Sequence, residues 1–220
     1  MTGRTPTLAV RADLNISLDG SASTTDQTAE NPMGEDWFRL VAANAATRTF
    51  RERVLGDTSG KGTTGVDDAY AQEYFTNIGA EIMGAGMFGL HHNADDPDWR
   101  GWWGDEPPFR VPVFVLTHAP RPSIEMAGGT TFHFLDASPE EALAEATRAA
   151  GGADVRIGGG VRTVRSFLAA GLVDRLHVAI APILLGRGLS LWEDLRGLER
   201  RYEVSSEIAE SGTVHVTFRR

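Results

Sequence analysis

Three consecutive glycines separate a short β-branched strand pattern from an amphipathic helix pattern. The glycines are Gly158, Gly159 and Gly160, the strand pattern covers 155–157, and the helix pattern follows at once from Val161. Three glycines in a row are costly in backbone entropy, so they are typical of a place where a side chain would collide with a neighbour. The start of a helix carries unpaired N–H groups and partial positive charge, which favour phosphate. The turn therefore predicts a backbone site for a pyrophosphate, with a tight turn that binds no ligand as the alternative.

The glycine spacing disfavours one common nucleotide-binding fold. The dinucleotide fingerprint of doubly wound sheets spaces its glycines G-x-G-x-x-G and has an acidic residue about 20 residues later. Here the glycines are contiguous, and Asp174 follows the helix pattern too closely for that role. A different nucleotide-binding fold is therefore expected.

Composition excludes several classes of function. The chain has 220 residues with a net charge of −9 and no long basic run, which disfavours nucleic-acid binding. No apolar run approaches the roughly 18 residues that span a membrane, and the N-terminus lacks the apolar core of a signal peptide, so the sequence predicts a cytoplasmic protein. There are no cysteines, the adjacent His91 and His92 would point apart in any regular element, and the other four histidines are scattered, so we expect no metal site.

Strand patterns alternate with helix patterns along the chain. Strands are predicted at 8–12, 80–83, 111–117, 131–135, 155–157 and 175–181, with a closing pair at 202–206 and 213–218; helices are predicted at 36–52, 67–77, from Ser138 to Gly151 and from Val161 to Gly171. This order predicts a three-layer α/β/α fold with a mostly parallel central sheet and an antiparallel C-terminal edge. We expect a single domain over residues 1–220 with an aromatic-rich insert at about 91–110.

Several short motifs, in their order along the chain, resemble one superfamily. They occupy residues 17–20, 82–86, 157–160, 167–177 and 182–188. They resemble the dihydrofolate reductase superfamily, and within it the reductase domain of the bifunctional riboflavin-biosynthesis deaminase–reductase and its stand-alone relatives. The resemblance implies a dihydrofolate-reductase-like fold, NADPH binding across the strand ends, hydride transfer to a small heterocyclic substrate, and pairing into a homodimer.

The resemblance also implies which residues contact the cofactor. These are Ala12, Gly20, Gly84, Ala85, Gly86, Met87, Thr117, His118, Arg121, Gly158, Gly159, Gly160, Val161, Arg162 and Thr163. Dihydrofolate reductases often carry a basic residue at the position of Ala85, where it meets the 2′-phosphate of NADPH. Arg121 or Arg162 is the candidate substitute, and NADH is a possible cofactor beside NADPH.

Reduction of a C=O or C=N group also needs a proton donor. The candidates are Asp19, within the motif at 17–20, and Asp36, at the start of the helix pattern. Both have a structural alternative, because Asp19-Gly20 is a common turn pair and Asp36 is favoured by the helix dipole. In the riboflavin reductases a glutamate near the substrate typically precedes the glycine run, and here Gly158 stands in its place.

Three functions remain open from the sequence. They are a reductase of the riboflavin-biosynthesis type, a pterin or folate reductase, and a non-catalytic nucleotide-binding dimer.

His177 and His215 fall in strand patterns and are interpreted as ordinary sheet residues. We expect Trp99, Trp102 and Trp103 to pack against the body or a partner subunit, with stacking on a substrate as the alternative. The apolar run at 178–185 is a candidate dimer contact.

Overall fold

The central feature of the molecule is one nine-stranded sheet with helices on both faces. The computed structural model describes residues 8–23, 26–28 and 30–220. The strands are β1 (Val10–Ser17), β2 (Ile78–Gly84), β3 (Pro112–Leu116), β4 (Ile124–Glu125), β5 (Thr131–Leu135), β6 (Asp154–Gly159), β7 (Arg175–Ala181), β8 (Glu203–Ile208) and β9 (Val214–Arg219). The helices are α1 (Trp37–Leu40), α2 (Ala42–Ala46), α3 (Arg48–Arg53), α4 (Val66–Tyr74), α5 (Ala85–Phe88), α6 (Pro139–Ala149) and α7 (Val161–Ala169).

The sheet order confirms the predicted fold class. The order is β4-β5-β3-β2-β6-β1-β7-β9-β8. In this order, the six strands β5, β3, β2, β6, β1 and β7 pair in parallel with one another. The strands β4, β9 and β8 at the two edges pair antiparallel with their neighbours. The sheet is therefore mostly parallel, with the expected antiparallel C-terminal edge and a second, very short antiparallel strand, β4, that the sequence did not predict.

Two apolar clusters hold the helices and the insert against the sheet. The larger cluster joins alternate residues of β1, β6 and β7 to α6 and α7, and includes the fully buried Phe167 and Leu168. The smaller cluster packs Phe88 and Phe132 against Trp99 and Trp103 of the insert. Burying aromatic side chains of this size dominates local stability, so the insert is part of the packed structure.

The predicted helix over 36–52 is wrong as one element. The structure has three short helices there, α1, α2 and α3. Thr47 adopts an extended conformation and accepts a hydrogen bond from the Phe50 N–H at 3.1 Å, so it caps α3 instead of continuing α2. Its hydroxyl also donates to the Asn44 carbonyl. Threonine and asparagine side chains compete with the helix for backbone groups, and this favours a break.

The first strand extends beyond its predicted end at residue 12. β1 runs to Ser17 because Asp13 and its successors continue the parallel register with β7, with Asp13 opposite His177. β6 likewise continues through Gly158 and Gly159, which the sequence assigned to the turn.

Among the described residues no helix has the length and apolar character that crossing a membrane requires.

Candidate functional site

Two glycine-containing turns lie side by side at the carboxyl ends of neighbouring strands. β2 leads into α5 at Gly84, and β6 leads into α7 at Gly160, with Met83 opposite Gly159 in the parallel register. A Cβ on Gly84 would overlap the Thr163 hydroxyl oxygen and lie 3.8 Å from the Gly160 nitrogen. The turns therefore approach closely, at the sheet edge where open α/β folds bind ligands.

The turn before α7 offers open space above bare backbone. A Cβ on Gly160 would meet no heavy atom within 4 Å. No side chain of the described residues caps α7, whose first N–H groups lie beyond this glycine. Open space in front of uncapped N–H groups fits the pyrophosphate of a dinucleotide. The residues present therefore fit a nicotinamide nucleotide, with Gly160, Val161, Arg162 and Thr163 around its phosphate bridge.

A cleft of about 2010 Å³ runs across these strand ends. It brings together thirteen of the residues expected to contact a cofactor: Gly84, Ala85, Gly86, Met87, Thr117, His118, Arg121, Gly158, Gly159, Gly160, Val161, Arg162 and Thr163. The predicted residues of β2, β3, β6 and α7 are thus assembled in one place. Their contacts with a cofactor remain a prediction.

Ala12 and Gly20 do not line the cleft. Ala12 is 1% exposed and packs in the larger apolar cluster, because alternate β1 side chains point to opposite faces of the sheet. Its successor Asp13 lines the cleft instead. Gly20 has a φ of +82° and lies against the Trp192 ring, so it serves the turn after β1.

Asp19 also lies outside the cleft lining. Its hydrogen bonds join the turn after β1 to the loop that contains Leu185 and Gly186. Its carboxylate accepts hydrogen bonds from the Ser17 hydroxyl at 2.5 Å and from the backbone N–H groups of Leu185 and Gly186 at 3.1 and 2.7 Å. These bonds, the one from Ser17 first, lower the pKa of Asp19 to about 2. A carboxyl group with so low a pKa is ionised at neutral pH, which argues against the predicted role as proton donor.

Asp36 sits in an ion-pair cluster and is likewise absent from the cleft lining. It pairs with Arg39 at 2.6 Å and with Arg187 at 3.0 Å. Hydrogen bonds from Arg39 and Arg187 lower its pKa. The structural alternative therefore describes Asp36 better than the predicted catalytic role.

Arg121 and the tryptophans belong largely to the packing of the insert. The Arg121 guanidinium donates to the backbone carbonyls of Asp96, Pro97 and Trp99, and lies over the Phe134 ring. Trp99 donates from Nε1 to the Phe88 carbonyl at 2.9 Å. Trp102 and Trp103 line the cleft as well as packing, so stacking of one of these rings on a substrate stays a prediction.

The sequence analysis missed a hydrogen-bonded chain of four side chains on the cleft wall. Asp13 Oδ1 lies 3.2 Å from His177 Nδ1, His177 Nε2 lies 2.9 Å from His215 Nδ1, and His215 Nε2 lies 2.9 Å from Asp67 Oδ1. We call these four residues the Asp-His chain. They come from β1, β7, β9 and α4, and both histidines are buried. The sequence signal was the position of His177 and His215 in strand patterns, which the sequence analysis interpreted as ordinary sheet residues.

Burial and charge act in opposite directions along this chain. Burial by itself raises the pKa of Asp13, but the His177 hydrogen bond and the charges of His177, Arg11 and Arg175 lower it below its ordinary value. Burial lowers the pKa of His215, although the hydrogen bond to Asp67 opposes this.

The described residues include no group of three His, Cys, Asp or Glu side chains arranged to hold a metal ion.

A buried ion pair supports the floor of the cleft beside Gly158. Glu81 Oε2 accepts two hydrogen bonds from Arg156, whose guanidinium also lies over the Tyr74 ring at 3.8 Å. Glu81 is fully buried, and its Oε1 has no hydrogen-bond partner among the described residues. A Cβ on Gly158 would overlap this same oxygen, so Gly158 is small because a carboxylate from β2 fills its side-chain space.

Comparison with known proteins identifies the family and the fold. The sequence matches the family model of the RibD C-terminal domain over residues 9–213. A riboflavin biosynthesis protein from Shewanella sp. PV-4 has a similar structure, with a TM-score of 0.60 and 21% identity over 97% of this chain and 99% of that one. None of the curated proteins compared matches the chain.

A second solved structure matches part of a longer protein. It is a diaminohydroxyphosphoribosylaminopyrimidine deaminase/5-amino-6-(5-phosphoribosylamino)uracil reductase from Thermotoga maritima, with a TM-score of 0.54 and 16% identity over 97% of this chain. The match covers 56% of that protein, so this chain spans about half its length. At such identities the two structures show a shared fold, whereas the family model covers nearly the whole sequence. The chain therefore belongs to the RibD C-terminal domain family, a reductase family of the riboflavin-biosynthesis type.

Proposed function

We propose that the protein is an NAD(P)H-dependent reductase that transfers hydride to a C=O or C=N group of a small heterocyclic substrate. Family membership supports the reaction type. The observation that carries the cofactor assignment is the open turn at Gly160, in front of the uncapped start of α7. A nicotinamide cofactor supplies hydride, while the protein supplies orientation and charge. The name of the Thermotoga relative makes 5-amino-6-(5-phosphoribosylamino)uracil the first substrate to test.

A buried carboxylate lies directly behind Gly158. In the resembling reductases a glutamate precedes the glycine run, and this chain has glycine there. Glu81 brings a carboxylate into that space from the neighbouring strand, with one oxygen unpaired. Because Glu81 is fully buried behind Gly158 and does not line the cleft, its carboxylate shapes the cleft floor from below and does not reach a bound substrate.

Turnover is tested by mixing the protein with NADPH and following nicotinamide absorbance. We expect oxidation of NADPH with the phosphoribosylaminouracil and none with dihydrofolate. Turnover of dihydrofolate alone would identify the pterin-reductase alternative. Nucleotide binding without turnover of any pyrimidine or pterin would favour the non-catalytic dimer.

The variant Gly160→Ala tests the pyrophosphate site. Gly160 has a φ of −74°, which alanine adopts freely, and its Cβ would meet only open space. We expect an unchanged melting temperature and a loss of NADPH affinity of at least tenfold, measured by tryptophan fluorescence titration, because the methyl group would occupy the phosphate position. Gly84→Ala is the contrast, since its Cβ overlaps Thr163 and should lower the melting temperature as well. Unchanged NADPH affinity in a folded Gly160→Ala variant would refute the proposed position.

The residue that we propose for the choice between NADPH and NADH is His118 on the cleft wall, with Arg162 contacting the phosphate bridge that both nucleotides share. Arg121 is occupied by the insert, whereas Arg162 lies exposed in the first turn of α7 and His118 is exposed beside Asp136 at 3.0 Å. We expect Arg162→Ala to weaken NADPH and NADH binding equally, through the phosphate bridge. We expect His118→Ala to weaken NADPH about tenfold, roughly 1.4 kcal/mol, and to leave NADH unchanged. Equal losses for both nucleotides in His118→Ala would remove His118 from the 2′-phosphate site.

The homodimer and the cytoplasmic location remain predictions. The apolar run at 178–185 is largely unavailable to a partner, because Val178 is fully buried in the larger cluster, although Leu184 is 67% exposed. β8 is an edge strand exposed on both faces, and Ile208 on it is 72% exposed. We expect sedimentation at twice the mass of one chain, and a shift toward monomer in Ile208→Lys. A monomeric wild-type protein would contradict the dimer.

A further inference from the structure

The Asp-His chain needs one more proton than its two neutral imidazoles carry. Its three contacts, Asp13–His177, His177–His215 and His215–Asp67, each require one hydrogen atom. An ionised carboxylate only accepts, and a neutral imidazole carries one N–H. Two neutral histidines therefore provide two hydrogens for three contacts.

The missing hydrogen makes the chain a proton-binding site. With two hydrogens, both directed at the carboxylates, two nitrogen lone pairs face each other across the 2.9 Å contact between His177 and His215. A third proton completes that hydrogen bond and reduces the charge of the four groups from −2 to −1. Two facing lone pairs in the interior are costly, and this cost favours uptake of the third proton, whereas burial of His215 opposes it.

The surroundings fix the rings and set the charge. The Tyr70 ring stacks on both imidazoles, with centroid distances of 4.2 Å to each, and its hydroxyl donates to Glu207 at 2.8 Å. The other charged or titratable groups that act on the chain are Arg11 of β1, Arg175 of β7, Glu207 of β8, Glu81 of β2, Arg156 of β6 and Tyr74 of α4. The two imidazoles therefore lie side by side against the Tyr70 ring, with the Asp13 carboxylate at one end of the pair and the Asp67 carboxylate at the other.

One end of the chain lies next to the glycine turn. Ala12 pairs with Ile157, so the following residues, Asp13 and Gly158, are neighbours on adjacent strands. All four members of the chain, together with Gly158, line the cleft. Asp13 Oδ2 is buried and has no hydrogen-bond partner among the described residues. The Asp13 side chain is 9% exposed and lines the cleft, so rotation of its carboxylate would bring this covered oxygen to a ligand bound beside Gly158.

We propose that the Asp-His chain stores one exchangeable proton and delivers it, at the Asp13 end, to the substrate atom that gains negative charge on reduction. The storage follows from the geometry of the chain, whereas the delivery rests on the proposed reductase function. The candidates named from the sequence, Asp19 and Asp36, are held in other contacts, so this chain supplies the proton that the reaction needs.

When the stored proton is delivered, one N–H bond of the imidazole pair breaks and leaves its electron pair on nitrogen. Asp13 accepts this proton and passes one on, and an O–H or N–H bond forms on the substrate. The pair is left as two neutral imidazoles, and water restores the third proton. The hydride is supplied by the reduced nicotinamide cofactor.

Storage is tested by NMR on wild-type protein labelled with ¹⁵N at histidine, without nucleotide or substrate. We expect His177 and His215 to take up one proton together as the pH is lowered from 9 to 4.5. At high pH His177 should be the Nδ1–H tautomer and His215 the Nε2–H tautomer. Independent titration of the two buried rings, or no proton uptake by either, would overturn the proposal.

A pair of matched variants separates this chain from ordinary ion pairs. Asp67→Asn removes one terminal charge, so the midpoint of the shared proton should fall by about 1 pH unit. Asp136→Asn removes the carboxylate beside the exposed His118 and should leave the shared midpoint unchanged. If Asp67→Asn does not fold, the wild-type tautomers still decide the matter. An unchanged midpoint in folded Asp67→Asn would overturn shared storage.

Delivery is tested only where turnover is observed. At pH values above the midpoint of the shared proton, we expect Asp67→Asn to lower kcat about tenfold. The affinity for NADPH should be unchanged, and the solvent deuterium isotope effect on kcat should be larger. An unchanged kcat and isotope effect would overturn delivery, while the NMR result on storage would stand. Absence of turnover in wild-type protein would instead contradict the proposed function, and the NMR experiment would not be affected.

Discussion

At the scale of single residues, the floor of the cleft depends on a buried charge pair. Glu81 and Arg156 are 0% and 3% exposed, and the side-chain space of Gly158 is filled by the Glu81 carboxylate. Burial raises the pKa of Glu81, although the charge of Arg156 opposes this. Each charge is therefore tolerated in the interior because of the other.

We expect Arg156→Met to lower the free energy of unfolding by about 3–5 kcal/mol, because it leaves Glu81 buried without its partner. The double variant Glu81→Leu/Arg156→Met should recover most of this loss, since it removes both charges. Urea unfolding of the two variants and the wild type measures the difference. Equal losses in the single and double variants would show that packing, and not the charge, sets the cost.

The loop contact of Asp19 should depend on pH. Its folded pKa of about 2 lies below the ordinary value of 3.8, so its contribution to stability is present above about pH 4 and is lost as the pH falls toward 2. We expect faster amide hydrogen exchange at Leu185 and Gly186 in Asp19→Asn at pH 6. Exchange rates as slow as in the wild type would mean that the carboxylate does not hold this loop.

At the scale of elements, local sequence predicts a helix best where its end is capped by neighbouring residues. The start of α6 is an example, because Ser138, Pro139 and Glu141 form a capping box with proline at the first position. The helix over 36–52 failed as a prediction because Thr47 turns its hydroxyl to the backbone and begins a new helix.

We expect Ser138→Ala to lower the free energy of unfolding by about 1 kcal/mol, because the N–H of Glu141 loses its acceptor. Ser138→Asp keeps an acceptor at that position and should be nearly neutral. Thermal or urea unfolding of both variants provides the measurement. A loss as large in Ser138→Asp would contradict the capping explanation.

At the scale of the whole molecule, the order of the strands creates the site. β6 lies between β2 and β1, so the glycine turn at 158–160 meets the turn at Gly84 on one side and Asp13 on the other. β7 and β9 then bring His177 and His215 to the same wall, and α4 closes it with Asp67 and Tyr70. Residues as distant in the sequence as Asp13 and His215 thus share one cleft.

The sequence by itself determined the fold class, the family and the two glycine turns. These follow from local patterns, since hydrophobic periodicity, caps and consecutive glycines each act within a few residues. The partners of Asp19, the ion pair of Glu81 and the pairing of His177 with His215 were decided by the tertiary structure alone. Each joins side chains distant in the sequence through the sheet register and the packing of α4. A strand pattern places a histidine in the sheet, but only the neighbouring strands determine which polar group it meets there.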